Sequence, residues 1–240
     1  MDNLSYIGLS QQMALSHQMD VVANNIANMS TPGFKSQNML FKTYLNKTTA
    51  EGEKIAQVQD YGTYRDTKQG ALTETYNKLD VAIQGSGYFA IQTPQGVRYT
   101  RNGSFALDGN GKIITQTGDA VLGSNGSPLT VQPGTNNITI MKDGEISSDK
   151  GSVGTLKLVN FPDEQALTAI GGGLYDAQGA PEQPVDKPQL MQGFIETSNV
   201  QPITEMNKML SITRLYEAVQ HILINDHDDA RTMIQKLTTA

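Results

Sequence analysis

The residues able to do chemistry are few, and their spacing serves none of the usual reactions. Three histidines occur, His17, His221 and His227. The last two stand six apart in one helical stretch, whereas a zinc pair on a helix needs an i, i+4 step to share a face. His227 sits among Asp226, Asp228 and Asp229. That cluster could hold a metal ion loosely, but a solvated acidic turn is the preferred reading. Asp108-Gly109-Asn110-Gly111 starts like a calcium loop, yet its fifth position is Lys112 and its twelfth is Asp119 rather than glutamate, so a hairpin turn is preferred. Gly85-Ser86-Gly87 lacks both the spacing of a nucleophile elbow and a histidine partner. Gly171-Gly172-Gly173 is not followed by the Lys-Ser/Thr pair of a phosphate loop. Cysteine is absent, which excludes thiolate nucleophiles, thiolate zinc sites and disulfides. No catalytic constellation, metal set or cofactor site is expected.

Composition narrows the function classes further. A chain of 240 residues can hold one large domain or two small ones. Charged residues make up 18%, below the usual ~25%, and the 23 glycines exceed the ordinary share of about 7%; both suit a turn-rich β body. A net charge of −6 argues against nucleic acid, since phosphate binding needs a basic face. No apolar run approaches the ~20 residues that cross a bilayer, so no membrane insertion is expected. Met1-Asp2-Asn3 places an acid where a signal peptide has its basic region, and Ser10, Gln11 and Gln12 interrupt the next apolar stretch. The reading is a chain that stays in the cytosol or leaves by a route reading another signal.

The elements fall into an α+β pattern, with helices at both ends and strands between. Leu4, Ile7, Leu15, Met19, Val22, Ile26 and Met29 lie at steps of three and four, broken only at Gln11, which marks one apolar helix face. Ser30-Thr31-Pro32-Gly33 ends that helix, because proline lacks the amide and pushes its predecessor extended. Met39, Leu40, Phe41, Tyr44 and Leu45 are read as one or two more helical turns, and 46–69 as an extended connector. From Gly70 the period becomes two. Leu79, Val81 and Ile83 alternate, Gly85-Ser86-Gly87 turns the chain into Tyr88-Phe89-Ala90-Ile91, and Asn102-Gly103 and later turn signals recur roughly every eight residues, as in successive hairpins. Leu156, Leu158, Val159 and Phe161 form a late strand, and 171–188, with Pro181, Pro184 and Pro188, is read as a loop leaving the body.

The last helix has the cleanest pattern. Met209, Tyr216, Leu223, Ala230 and Leu237 lie seven apart, and Ile212, Val219 and Met233 come three residues after members of that series. That is the signature of coiled-coil packing. Asp226 breaks the second series; either the helix frays at Asn225–Asp229, or a polar contact there sets register. A helix this long is marginal in water unless its stripe is buried. The end helices can bury one face each against one another. The first then has little apolar surface left, whereas Met206, Leu210, Leu215, Ile222, Ile224 and Ile234 lie off the seam of the second. Neighbouring copies would cover them, and a head-to-tail contact that does not close grows an open filament.

Several stretches carry a family resemblance. Ala23-Asn24-Asn25-Ile26-Ala27-Asn28 with Thr31-Pro32-Gly33-Phe34-Lys35, Leu79-Asp80-Val81-Ala82-Ile83 with Gly85-Ser86-Gly87-Tyr88-Phe89, Tyr99-Thr100-Arg101-Asn102-Gly103-Ser104-Phe105, and Ser198-Asn199-Val200 with Arg214-Leu215-Tyr216-Glu217-Ala218 occur in this order. Together they resemble the flagellar basal-body rod and hook protein family over nearly the whole chain. Ser86 and Tyr88 stand where that family more often has an acid and a phenylalanine, and the polar stretch at 225–229 interrupts the last helix more than usual. The length suits the proximal rod type, with the distal type as alternative. A β binding module on a coiled-coil stem is the reading from another class, though the absence of tryptophan speaks against an aromatic binding platform.

The resemblance implies a non-enzymatic structural subunit of the rod. Residues 1–35 with 200–240 would form an inner, axial, coiled-coil-like helical domain, 36–69 a connector and 70–196 an outer antiparallel β domain. It implies export, unfolded and without a cleaved signal, through the flagellar export apparatus into a periplasm-spanning rod. Its partners would be copies of itself and other rod proteins. Assembly is expected through Leu15, Met19, Val22, Asn24, Asn25, Ile26 and Asn28 of the first helix and Met209, Ile212, Arg214, Tyr216, Glu217, Val219 and Leu223 of the last. The asparagines can satisfy backbone groups, bond to a neighbouring helix or simply end the helix. Arg214 and Glu217 can pair within the helix or bridge two subunits. Gly33, Gly85, Gly87 and Gly103 are expected at structural turns, Gly33 with a positive φ.

Overall fold

The computed structural model describes residues 3–47, 54–135 and 137–238. It is an α+β protein whose chain divides into two compact units. One combines Met1–Ala27, Gln37–Asp66 and Gln201–Ala240, and the other Asn28–Ser36 and Thr67–Val200.

The first unit holds α1 (Asn3–Ala27), the strands β1 (Gln37–Lys47) and β2 (Lys54–Arg65), and α2 (Pro202–Thr238). The segment read as helical turns, Met39 to Leu45, is strand. β1 and β2 form an antiparallel hairpin running from Gln37 opposite Arg65 to Lys47 opposite Lys54, with a register shift between Leu40 and Phe41. Much of the expected connector therefore belongs to a hairpin. An apolar run this short does not separate helix from strand by period alone; here the β-branched and aromatic content of the facing segment, with Ile55, Val58, Tyr61, Thr63 and Tyr64, favours the sheet. Residues 48–53, also assigned to the connector, lie outside the described residues.

Pro202 opens α2, where its missing amide leaves no bond unmade. The helix runs without a break through Asn225–Asp229, so the fraying expected there does not occur. Each Asn or Asp costs at most about 0.7 kcal/mol in a helix interior, too little to interrupt a helix already propagating on both sides. At 37 residues it spans about 55 Å. The side chains of Ala230, Met233, Ile234 and Leu237 lie outside the described residues.

The strands of the second unit all pair antiparallel, and a short 3-10 helix at Glu164–Ala166 interrupts them. After β3 (Leu72–Glu74) and β4 (Val81–Ile83) comes its largest sheet, of nine strands among the described residues, centred on the long pair β5 (Tyr88–Thr93) and β6 (Gly96–Thr100). The run Tyr88-Phe89-Ala90-Ile91 is apolar on both faces because both are covered. Phe89 and Ile91 join a cluster with Val81, Phe105, Ile113 and Ile146. Tyr88 and Ala90 join another with Tyr99, Phe161 and Tyr175, whose rings meet edge-to-face, Tyr99 and Phe161 at 4.9 Å. The expected strand at Val81–Ile83 is present, but Ala82 is buried as fully as its neighbours, so it does not alternate. The region read as a departing loop adds strands to the sheet. Leu174–Asp176 pairs with β6, and Gln183–Pro184 pairs with Leu158–Asn160. Glycines and prolines at its corners disguised these short strands as loop. Asp108 Oδ1 accepts from the Asn110 and Lys112 amides at 2.8 and 2.7 Å, which makes that segment an Asx-type hairpin turn.

Gly103 lies inside the Asx turn in which the Ser104 amide donates to Asn102 Oδ1 at 3.0 Å, and it has a further constraint. A Cβ there would lie 1.7 Å from the Val81 carbonyl oxygen, and the Val81 amide donates back to the Gly103 carbonyl at 2.9 Å. The position needs the absence of a side chain, since only then can two backbones approach this closely. Replacing Gly103 by Ala should lower unfolding free energy by at least about 2 kcal/mol, read by urea denaturation. Ala at Gly109, which has nothing within 4 Å of its added carbon, is the neutral control.

Candidate functional site

In the first unit, the residues spaced seven apart on α2 meet the stripe of α1. Leu15, Val22, Ile212 and Val219 are buried together, with Met19, Ile26, Met209, Tyr216 and Leu223 packed around them. The rest of both helices remains notably apolar. On α2, Ile203, Met206, Leu210, Leu215, Ile222 and Ile224 are exposed by 77, 47, 57, 46, 52 and 49%. On α1, Tyr6, Leu9 and Met13 are exposed as well, at i, i+3 and i+7, so they share a face. The first helix therefore keeps a spare apolar surface, contrary to expectation. That surface lies in its N-terminal half, on another side of the helix from Gly8, where an added Cβ would lie 2.6 Å from Leu223 of α2.

One buried amide ties this unit's segments together. Asn25 is 1% exposed. Its Nδ2 donates to the Gln37 carbonyl at 2.8 Å while its Oδ1 accepts the Gln37 amide at 2.9 Å, copying the two-bond pairing of a β ladder. The same Nδ2 donates to Glu205 Oε2 at 3.0 Å. Glu205, itself buried, takes Lys208 Nζ on its other oxygen at 2.6 Å. One side chain thus joins the end of α1, the start of β1 and the first turn of α2. Asn24 is exposed and Asn28 half-buried. Arg214 and Glu217 are both exposed on α2, as are His221 and His227, while His17 is exposed on α1.

In the second unit the corresponding device is ionic. The Glu196 carboxylate is buried and accepts Lys35 Nζ at 2.7 Å, the Gly70 amide at 3.0 Å, and Arg101 through Nε at 3.0 Å and Nη2 at 2.7 Å. Lys35 also donates to the Lys68 carbonyl at 2.7 Å, and Arg101 Nη1 to the Gly87 carbonyl at 2.6 Å. Burial draws the Lys35 ammonium below the ordinary lysine range, with Glu196 opposing. Arg101 also lies over the Tyr88 ring, 5.8 Å from its centroid. Burial raises the Tyr88 phenol, aided by the neighbouring Glu164 carboxylate, to which it donates at 2.9 Å. A cavity of about 250 Å³ adjoins the group, lined by Lys35, Gln69, Ser86, Tyr88, Arg101 and Glu164. Its two cations already face two carboxylates, so it has no charge to offer a ligand.

Gly33 and Asn199 complete the arrangement. Gly33 has φ +71°, and a Cβ there would come within 2.6 Å of the Arg101 backbone; its amide donates to the Glu196 carbonyl at 2.8 Å. Asn199 Oδ1 accepts the Ser36 amide at 2.7 Å and its Nδ2 donates to the Lys68 carbonyl at 3.0 Å. Gly85 and Gly87 have φ of 97° and 132° beside β5. Sequence reasoning singles out Gly33 and finds Lys35 and Arg101 within motifs, but assigns them no partner. It misses Glu196 altogether. The available signal is that a Lys and an Arg in otherwise weakly charged motifs both require a buried acid.

Replacing Glu196 by Gln leaves two buried cations short of their counter-charge and should lower stability by about 3–5 kcal/mol, measured by urea unfolding followed by far-UV circular dichroism. Replacing Asn25 by Ala removes the Gln37 pairing and one donor to Glu205 Oε2, for about 1–3 kcal/mol. That loss should show as faster proteolysis at the junction of α1 and β1.

Three family models match along the chain: "Flagella basal body rod protein" at 6–35, "Flagellar hook protein FlgE/F/G D1 domain" at 82–148, and "Flagellar basal body rod FlgEFG protein C-terminal" at 191–236. The chain is 38% identical to the flagellar basal-body rod protein FlgF of Caulobacter vibrioides, over 99% of its own length and 98% of the relative's. It is 35% identical to FlgF of Mesorhizobium japonicum, over 90% of each chain. To the rod protein FlgG of Caulobacter vibrioides it is 34% identical, over 83% of this chain and 86% of that one. Lys35 closes the first matched segment and Glu196 lies in the last, so the buried ion pair joins two of the three matched regions. With near-complete coverage at this identity, the chain belongs to the flagellar basal-body rod protein family.

Proposed function

We propose that this protein is a structural subunit of the flagellar rod, of the proximal type, and that copies stack through the uncovered apolar faces of α1 and α2. The supporting observation is the exposure of Ile203, Met206 and Leu210 on one side of α2, Leu215 and Ile222 on another, and Leu9 and Met13 on α1. Clustered exposed apolar side chains of this kind mark an interaction site. The internal seam through Leu15, Val22, Ile212 and Val219 makes each subunit's helix pair self-supporting. The outer faces and the exposed Arg214, Glu217 and Asn24 are then available to neighbours. Asn25, buried within its own subunit, acts as an internal support.

The helical unit lies toward the rod axis and the β-rich unit outward, and the partners are copies of this chain and other rod proteins. The greater identity to FlgF than to FlgG of the same organism supports the proximal over the distal type. Subunits pass unfolded through the flagellar export apparatus, a route that no disulfide can obstruct because cysteine is absent. Catalysis and cofactors play no part.

The test is a Met206→Asp, Leu210→Asp double variant. Both side chains are exposed, so the monomer should keep its stability to within about 1 kcal/mol. Growth from isolated basal-body seeds should fall at least about tenfold, on the order expected when interface anchors are lost, and motility should not be restored in a strain lacking the protein. Normal growth and motility would remove the helix faces from the assembly.

A further inference from the structure

The β-rich unit displays an aromatic side chain that its own fold does not use. Tyr76 has φ 59°, a left-handed conformation that bulky L-residues rarely adopt. Its side chain is 81% exposed. The loop around it is fastened on both sides. Thr75 donates its amide to the Gly193 carbonyl at 2.7 Å. Asn77 accepts the Leu79 amide at 3.3 Å and donates to Asp80 Oδ1 at 3.1 Å, and Lys78 Nζ donates to Asn137 at 2.7 Å. The backbone therefore holds the ring outward in a costly conformation, and burial within the subunit does not offset that cost. Strain that the surrounding structure enforces is characteristic of functional positions, and a rigid tyrosine is a common interface anchor.

The same unit carries an open groove of about 390 Å³. Its walls are Leu156, Pro184, Val185 and Pro188, with the Asp143 and Glu182 carboxylates beside them. Glu182 already receives Tyr99 and Lys157, and Asp143 Oδ1 receives the Glu145 amide at 3.1 Å, which leaves Asp143 Oδ2 as the acceptor for an incoming hydroxyl. Apolar walls with a placed acceptor match a phenol, which has an apolar body and one donor at its tip.

We propose that Tyr76 of one copy seats in this groove on a second copy. The inference rests on the rod-subunit reading, which brings copies side by side. The two surfaces differ, so the contact is heterologous and can repeat without closing, as an open stack requires. It adds a lateral link between β-rich units to the contacts made by the helices.

The experiment places the photo-crosslinker p-benzoylphenylalanine at position 76 of the full chain, mixes isotope-labelled and unlabelled copies, seeds assembly and irradiates. Crosslinks between copies are expected at 155–159 and 182–188. Crosslinks elsewhere, or only within one copy, overturn the proposal while leaving rod assembly standing; failure of the wild-type chain to assemble at all overturns both. Tyr76→Gly supplies a second readout. Glycine relaxes at this φ, so the melting midpoint should hold or rise, while the affinity of a copy for the growing end falls at least about tenfold. A lowered midpoint with unchanged assembly would make Tyr76 a structural residue only and end the proposal.

Discussion

The buried Glu196 carboxylate is the constraint on which the β-rich unit depends. It accepts Lys35, Gly70 and Arg101, groups drawn from segments far apart in the chain. Burying a charge is expensive unless every lone pair finds a donor. The arrangement therefore rewards only the complete assembly of residues 33–36, 68–70, 87, 101 and 196–199. A partial version leaves an ion without its partner in a dry place. As a net stabiliser such a group is modest, but as a penalty on wrong arrangements it is severe. Gly33 has to lack a side chain because the Arg101 backbone passes against it. The Asn199 amide satisfies the neighbouring backbone of Ser36 and Lys68.

The helical unit solves the same problem with a neutral group. Its segments also enter and leave at three places, and the Asn25 amide gathers them by copying one rung of a β ladder for Gln37 and reaching Glu205 with the same nitrogen. Around it the helix pair buries one stripe from each partner. The β1–β2 hairpin packs on α1 as well, yet Tyr6, Leu9 and Met13 of α1 and several apolar residues of α2 stay exposed. On the rod-subunit reading this leftover surface is the functional one.

Much of this architecture was legible in the residues. The apolar stripes of period 3.6 at both ends and the recurrent glycine turns between them marked helical ends around a β middle. The seven-residue spacing from Met209 to Leu223 named the α2 residues that meet α1. Other features resisted for identifiable reasons. The run at Met39–Leu45 is apolar without a decisive period, and its pairing with Lys54–Arg65 is what makes it strand. Leu174–Asp176 and Gln183–Pro184 are too short and too rich in glycine and proline nearby to announce themselves; they are strands because β6 and Leu158–Asn160 offer them free edges. Asn225–Asp229 looked like a break because local propensity is weak there, but propensity of that size does not stop a long helix.

The sequence by itself determined which kinds of element occupy most stretches and where glycine must relieve the backbone, as at Gly33. These outcomes obey local rules, where period, branching and ring closure act over a few neighbours. Only the tertiary structure decided that Glu196 is a buried counter-ion rather than one more surface acid, that Gly103 is there for the approach of Val81, and that Asn25 is turned inward while Arg214 and Glu217 face out. Those outcomes depend on which distant segments arrive at the same place, and a side chain's burial and partners are properties of that meeting rather than of its own residue type.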